Sequence, residues 1–323
     1  MLLAIPALFA GLILLVWGGE KAVEGASTLA ARTGRPPLLV GLVVMGFGAA
    51  APELVVAVTA ATQGHPALAL GSAWGSNIVA MSLVLGVTLW IAPLTLRSRV
   101  VRRELPLMVA ASFLTAALVW DGVLSRLDAG LLVLGFVALL HWSWRQLDDG
   151  DQDALARETR AEMVTLSDRA PRAAWTLALG WSCLCVGAWL LVWAAVKVAL
   201  WLGVSDLVMG LSVVALGATL PELAVCVIAA RKGEDDIALG HVLGVGLFNT
   251  LAVAGLSALI EPLDLPPQAL WRDLLFMAAL ALGLFLLGRS ERGPSRLGRR
   301  TGQALVGAYL LHLLAVLVTA GPG

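Results

Sequence analysis

Apolar runs long enough to cross a lipid bilayer follow one another along almost the entire chain, and no other feature restricts its fold so strongly. A spanning helix needs about 20 predominantly apolar residues. Inside hydrocarbon only helices and closed barrels satisfy every backbone polar group. Ten such runs are read, at 2–31, 37–62, 66–91, 104–121, 127–144, 174–202, 206–230, 236–260, 269–288 and 302–320. They are continuous, not alternating over about 10 residues as barrel strands are, so a β-barrel is excluded. Charged residues make up 14% of the 323, against about 25% in soluble domains. Mean hydropathy is +0.88. The expected fold class is an all-α polytopic membrane protein with ten transmembrane helices.

An internal repeat orders these spans. Residues 41–86 (GLVVMGFGAAAPELVVAVTAATQGHPALALGSAWGSNIVAMSLVLG) and 210–255 (GLSVVALGATLPELAVCVIAARKGEDDIALGHVLGVGLFNTLAVAG) align without a gap at an offset of 169, with 19 of 46 positions identical. Shared apolar composition scatters Leu and Val matches. It does not align Gly41 with Gly210, Gly48 with Gly217, Pro52 with Pro221, Glu53 with Glu222, Gly71 with Gly240, Gly75 with Gly244 and Gly86 with Gly255. Five spans make each half, and an odd number sends the second copy into the membrane from the opposite side. Two inverted-topology five-helix repeats are a signature of secondary transporters, with the substrate site near the midplane where the repeats meet. The halves are expected at 1–144 and 174–323, joined by the polar linker 145–173.

Charge supports this topology. With the N-terminus outside, 18 of the 22 Lys and Arg residues fall in inside loops or the linker, and only Arg126 and Arg272 in outside loops. That is the asymmetry of the positive-inside rule. Both termini are therefore expected outside and the linker in the cytoplasm, in a multi-pass protein of the inner or plasma membrane. The N-terminus lacks a basic n-region and a small-residue cleavage site, so the first run is expected to stay as a helix. A net charge of zero offers no footprint for nucleic acid. Cys183, Cys185 and Cys226 all lie in apolar runs and read as small buried hydrophobes. No Ser/His, paired Asp or HExxH constellation points to an enzyme, and no cofactor is implied.

The repeat carries the chemistry. Each copy holds a glycine-containing turn, then Pro-Glu-Leu: GFGAAAPEL at 46–54 and ALGATLPEL at 215–223. Proline removes a backbone donor and disrupts the bond to the carbonyl four residues back. Freed carbonyls at Gly46, Gly48, Ala215 and Gly217 need a partner, which a bound cation supplies; a kinked helix packed on its neighbours is the plainer alternative. A carboxylate at bilayer depth is costly and marks a functional site by default. Glu53 and Glu222 together carry a charge of −2, balanced by one Ca²⁺, two Na⁺ or two protons, and competition among these is what an antiporter needs. The following Gly-x-x-x-Gly block, GSAWGSNIVA at 71–80 and GHVLGVGLFN at 240–249, permits close helix approach. It brings Ser76, Asn77 and Asn249 as candidate oxygen ligands.

These motifs resemble the α-repeats of the sodium/calcium exchanger (cation/Ca²⁺ antiporter) superfamily, whose pattern runs roughly G-T-S-x-P-E followed by G-N-x-x-G-S-N. The resemblance covers both motif copies and, more loosely, the ten-helix layout. It implies an alternating-access exchanger whose two motif glutamates bind Ca²⁺ and Na⁺ in turn; inorganic cations and the lipid bilayer are the expected partners, and no obligate protein partner is inferred. It also implies that the long first helices of each half slide against the motif helices. The chain departs from the pattern where Ala49-Ala50 and Ala218-Thr219 replace Thr-Ser, keeping a hydroxyl only at Thr219. Gly71-Ser72 and Gly240-His241 replace Gly-Asn, and Gly244-Val245-Gly246 replaces the second Gly-Ser-Asn. One turn on, Ala80 stands in the first copy and Asn249 in the second.

Ca²⁺ takes about 6–8 oxygens, of which Glu53 and Glu222 supply up to four. The thinner hydroxyl set leaves open a different stoichiometry, protons in place of Na⁺, or another cation. A non-transporting receptor or scaffold with the same fold is a further alternative. In sequence, Glu222 keeps Thr219 and Asn249 close, while Glu53 has Ser76 and backbone. His241 stands at a motif position and titrates in the physiological range when unperturbed; the plainer reading is a helix-end histidine bonded to backbone or water. His65 reads as a solvated loop residue. Glu20, Lys21 and Glu24 are expected to pair between helices or line a cavity. Most of the twelve tryptophans sit near span ends, as interface anchors do, but Trp74 lies inside the Gly-x-x-x-Gly block and is expected to narrow the site.

Overall fold

The structure, a computed structural model, describes residues 3–33, 40–64, 66–96, 104–148, 170–201, 215–265, 269–289 and 295–319. His65, most of the linker (149–169) and the arginines at 97–103 lie outside the described residues. Among those described, helices fall into ten rods. They are α1 (Ala4–Thr33); π1 (Gly41–Gly46) running into α2 (Phe47–Thr62); and α3 (Pro66–Ile78), π2 (Val79–Val84) and α4 (Leu85–Ile91) in one line. Then come α5 (Leu105–Leu118), α6 (Arg126–Asp148), α7 (Ala170–Trp201) and α8 (Ala215–Arg231). The last rods are α9 (Asp235–Phe248) with π3 (Asn249–Val253) and α10 (Ala254–Ile260); π4 (Ala269–Leu274) with α11 (Leu275–Gly288); and α12 (Arg299–Thr319).

These ten rods coincide with the ten apolar runs. The largest differences among the described residues are at α6, which continues to Asp148, and α7, which starts at Ala170; α5 stops at Leu118 ahead of a turn closed by Gly122 at φ +85°. Six rods are long and apolar enough to span a bilayer on length and composition alone. Their outer faces carry Phe9, Leu134 and Trp189, which are 65%, 64% and 63% exposed. Apolar patches that extensive are unstable in water and suited to lipid tails.

The repeat is visible in local geometry as well as in sequence. Gly64 and Gly233, 169 residues apart, end α2 and α8 with φ of +78° and +75°. This left-handed conformation is cheap only for glycine. At the second, the Glu234 amide donates to the Ala229 carbonyl at 2.9 Å and that of Gly233 to Ala230 at 3.2 Å, a Schellman closure. The π-helical turns π2 and π3 are likewise counterparts at the same offset.

Contacts divide the chain into two compact units, Met1–Val40 with Asp153–Ala238, and Gly41–Gln152 with Leu239–Gly323. In the first, α1 runs antiparallel to α7 and both pack on α8. Backbones touch directly: a Cβ on Gly18 would lie 2.8 Å from the Leu184 amide nitrogen, and one on Gly180 would collide with Ala22. Lys21 pairs with Glu24 on its own helix at 2.7 Å, not with another helix as expected, because three residues on a helix bring the two ends onto one face. Lys232 reaches the backbone carbonyl of Glu20 at 3.5 Å. Of the cysteines, Cys226 is buried as expected, while Cys185 faces outward.

In the second unit α2 packs on α3, α4 on α12, α6 on α10 and α5 on α11. Two short antiparallel pairs, which hydropathy alone does not foretell, tie its loops. β1 (Leu94–Leu96) pairs with β4 (Ser295–Leu297) in the register Leu94↔Leu297, and β2 (Val123–Leu124) pairs with β3 (Leu263–Asp264) in the register Leu124↔Leu263. Each pair joins a loop of the first half to a loop of the second. The helix count between them requires these partners to share a membrane face.

Candidate cation site

Glu53 follows Pro52 on α2, and the rod does not break at the proline. Helical structure runs through both Pro52 and Pro221; the distortion in the first copy is the widened turn π1, whose register is that of a π-bulge, a feature frequent at functional sites. Pro52 still lacks an N–H, so the carbonyl of Gly48 loses its helical donor. Gly48 itself is exposed, so the freed oxygen borders open space. Pro221 does the same to Gly217.

Three elements converge on the Glu53 carboxylate. Asn249, first residue of π3, donates its side-chain amide to Glu53 Oε2 at 2.6 Å. Ser76, on α3, hydrogen-bonds the same carboxylate. Charge-assisted bonds to a carboxylate are about twice as strong as neutral ones, so two of them fix its orientation. Asn249 Oδ1 is buried with no hydrogen-bond partner, a spare acceptor beside the acid. The pairing across 196 residues differs from sequence proximity, which associates Asn249 with Glu222. Packing of π3 against α2 and α3 brings it to Glu53 instead.

Most other buried hydroxyls of the same unit are turned back on their own helices. Thr88, Ser112, Thr115 and Ser257 each donate to the carbonyl four residues earlier, at 2.7 to 2.9 Å. That is the usual way to satisfy a hydroxyl in an apolar helix, and it separates them from Ser76. Asn77 is fully buried and reaches Gly246, Thr250 and Met277 rather than Glu53. His241, also buried, stands beside the backbone of Met45 and lies midway along α9, not at a helix end. Gly46 closes π1 and is buried.

Glu222 is buried on α8, with Thr219 one turn before it and Cys226 one turn after. Their spacing puts all three on one helix face. The Cys226 thiol reaches the Ala238 carbonyl at 3.9 Å. Ala215 is the first residue of α8. Trp74 is buried and lines a different cavity, of about 280 Å³, together with Gly71, Gly75, Arg272, Asp273 and His312. There Arg272 grips Asp273 through two bonds of 2.7 Å, and His312 stands 3.4 Å from the same carboxylate. No cluster of three or more His, Cys, Asp or Glu side chains that could hold a metal ion occurs among the described residues.

The model of the sodium/calcium exchanger protein family matches residues 3–145 and 172–318. The putative antiporter CaxA of Alkalimonas amylolytica is 36% identical over 96% of this chain and 97% of its own length. The inner membrane protein YrbG of Escherichia coli K12 is 37% identical over 97% and 96% respectively. Among solved structures, that of the sodium-calcium exchanger NCX_Mj superposes with a TM-score of 0.80 at 25% identity, covering 98% of this chain and 99% of that one. With both halves matched by one family model, and relatives this similar over nearly their full lengths, the chain belongs to the sodium/calcium exchanger family of membrane cation antiporters.

Proposed function

We propose that the protein exchanges Ca²⁺, or a similar divalent cation, for Na⁺ or H⁺ by alternating access. Glu53 and Glu222 are the two charged ligands in this reading. Ser76, Thr219 and Asn249, the backbone carbonyls of Gly46 and Ala215, and water make up the remaining coordination. The observation that carries it is the convergence of Ser76 and Asn249 on the Glu53 carboxylate, since two fixed donors leave the remaining lone pairs of that acid aimed for a cation. The names of NCX_Mj and of the sodium/calcium exchanger MaX1 of Methanosarcina acetivorans, 28% identical, support the choice of ions.

Both termini lie outside and the linker 145–173 in the cytoplasm, with five-helix repeats at 1–144 and 174–323 as the units of inversion. The Lys and Arg distribution supports this orientation. So does the pairing of β1 with β4, which joins two loops that both carry arginines. An inner-membrane location agrees with the name of the Escherichia coli relative.

One observation favours protons over Na⁺ as the counter-ion. Ala50, where the family pattern has a hydroxyl, is fully buried in an apolar cluster with Ala57, Ala69, Ala73, Phe248, Ala252 and Val253. An oxygen ligand is absent there and the space is filled, which thins any flanking Na⁺ site. Proteoliposomes loaded with Ca²⁺ test the choice. Flux driven by a pH gradient with Na⁺ absent is the expected result for the proton reading, and flux only with Na⁺ for the other. No cation flux under either gradient, with Glu53→Gln indistinguishable from wild type, would leave a non-transporting scaffold.

Asn249→Ala removes a donor from Glu53, and with it the amide oxygen proposed as a ligand, without removing charge. Outer partners of a metal ligand are worth about 10–100-fold in affinity. The half-saturating cation concentration is expected to rise by that factor, read from cation-dependent thermal stabilisation, with the orientation of Glu53 lost and its charge kept.

A further inference from the structure

The geometry points to Asn77 as a positioning residue that holds the two halves' contributions to the Glu53 site in register, an inference that rests on the exchanger site proposed above. Asn77 is fully buried. Its side-chain nitrogen donates to Thr250 Oγ1 at 2.8 Å and to the Gly246 carbonyl at 3.2 Å, and reaches Met277 Sδ at 3.3 Å. A backbone carbonyl only accepts, which fixes the amide nitrogen on that side.

The partners are not arbitrary. Gly246 is the counterpart of Asn77 itself at the repeat offset of 169, so this bond joins equivalent points of the two copies. Met277 is in turn the counterpart of Met108 at that offset. A Cβ on Gly246 would lie 2.8 Å from Met108 Cε. The methionine of the first half thus occupies the space a second asparagine would need. One asparagine therefore serves both copies where the family pattern has two.

The neighbours of the clamp are the ligands of Glu53. Ser76 and Asn249 hold the carboxylate; the next residue after each, Asn77 and Thr250, hold one another. Successive side chains on a helix project about 100° apart, so the clamp faces away from the acid while sharing the backbone that presents Ser76 and Asn249. It also brackets Asn249 from both sides, through Gly246 three residues before and Thr250 one after. Asn249 opens the π-turn π3, a local feature that recurs at functional sites.

The test is a double-mutant cycle on the full-length protein in detergent, reading the half-saturating concentrations of Ca²⁺ and, separately, Na⁺ from thermal stabilisation. Asn77→Ala is expected to raise half-saturation about tenfold or more, as loss of an outer partner does. Thr250→Val, which keeps shape and removes one acceptor, raises it less. In an Asn249→Ala background the Asn77→Ala effect shrinks to twofold or below, because the residue acts through Asn249. The inference is overturned by a drop in ligand-free melting temperature with half-saturation unchanged, which is packing alone, or by an undiminished effect in the Asn249→Ala background, which makes Asn77 an independent ligand through its unpartnered Oδ1. Should Asn77→Ala fail to fold, Thr250→Val carries the same cycle. A wild-type protein indifferent to both cations removes the site, and the clamp with it; a responsive wild type whose Asn77 variants behave normally removes the clamp alone.

Discussion

Glu53→Gln and Glu222→Gln are each expected to abolish cation exchange while leaving a folded protein, if both acids hold the cation as proposed. Glutamine keeps the size of the side chain and, at position 53, an oxygen that accepts from Asn249, which stands 2.6 Å from the native carboxylate. What it removes is one of two charges. A divalent cation held by one carboxylate leaves a net charge of +1 at bilayer depth, where uncompensated charge costs several kcal/mol. The expected loss of affinity is at least roughly a hundredfold, above the range for outer partners of a ligand. The readout separates binding from folding. Wild type at a hundredfold excess over Kd gains about 2.7 kcal/mol from the ligand, and the Gln variants gain about 0.4 kcal/mol or less at the same concentration, with their ligand-free melting temperatures unchanged or raised. Normal flux in either variant would refute the role given to that residue.

Gly244→Ala lowers the stability of the ligand-free protein by roughly 1–3 kcal/mol, the cost of forcing atoms into a packed interior, and Gly244→Val yields little folded protein. A Cβ on Gly244 would collide with the Leu42 carbonyl oxygen and lie 2.9 Å from Gly46 Cα; the reciprocal Cβ on Gly46 would be 2.5 Å from Gly244 Cα. Both neighbours are backbone, so no side chain can turn away, and the two rods must separate. The separation reaches the site, because π1 leads into α2 with Glu53 and α9 leads into π3 with Asn249. Weaker cation binding therefore accompanies the lost stability. Gly283→Ala on α11 is the control: its Cβ meets no heavy atom within 4 Å among the described residues, and alanine is the better helix former, so stability is unchanged or slightly higher.

Much of this was legible in the residues themselves. Hydropathy located all ten rods, since a spanning helix satisfies its own backbone and its ends follow from local composition. The offset of 169 identified Glu53 and Glu222 as equivalent, and the polar side chains of the Gly-x-x-x-Gly block offered Ser76, Asn77 and Asn249 as candidate ligands. The left-handed glycines at 64 and 233 obey the same offset, although the residues around them differ, because both end a motif helix where only glycine takes that conformation cheaply. Less legible were the continuity of the helices through Pro52 and Pro221 and the pairing of Lys21 with Glu24. Proline predicts a lost hydrogen bond, but whether the rod bends, bulges or breaks depends on what packs beside it.

What the sequence determined by itself is everything carried by short range and by symmetry: span number, helix ends, the inverted repeat and the two membrane-embedded acids. The tertiary structure alone decided which copy's ligand meets which acid. Asn249 lies within one motif with Glu222 yet bonds Glu53, and Asn77 bonds the backbone of its own counterpart, Gly246. Lateral packing of rods sets such pairings, and along each rod the residues within about one turn offer similar hydrophobicity to any partner. A one-turn shift changes little in hydropathy but exchanges every polar contact. The close approach at Gly46 and Gly244 removes that freedom, since only one register places glycine opposite glycine.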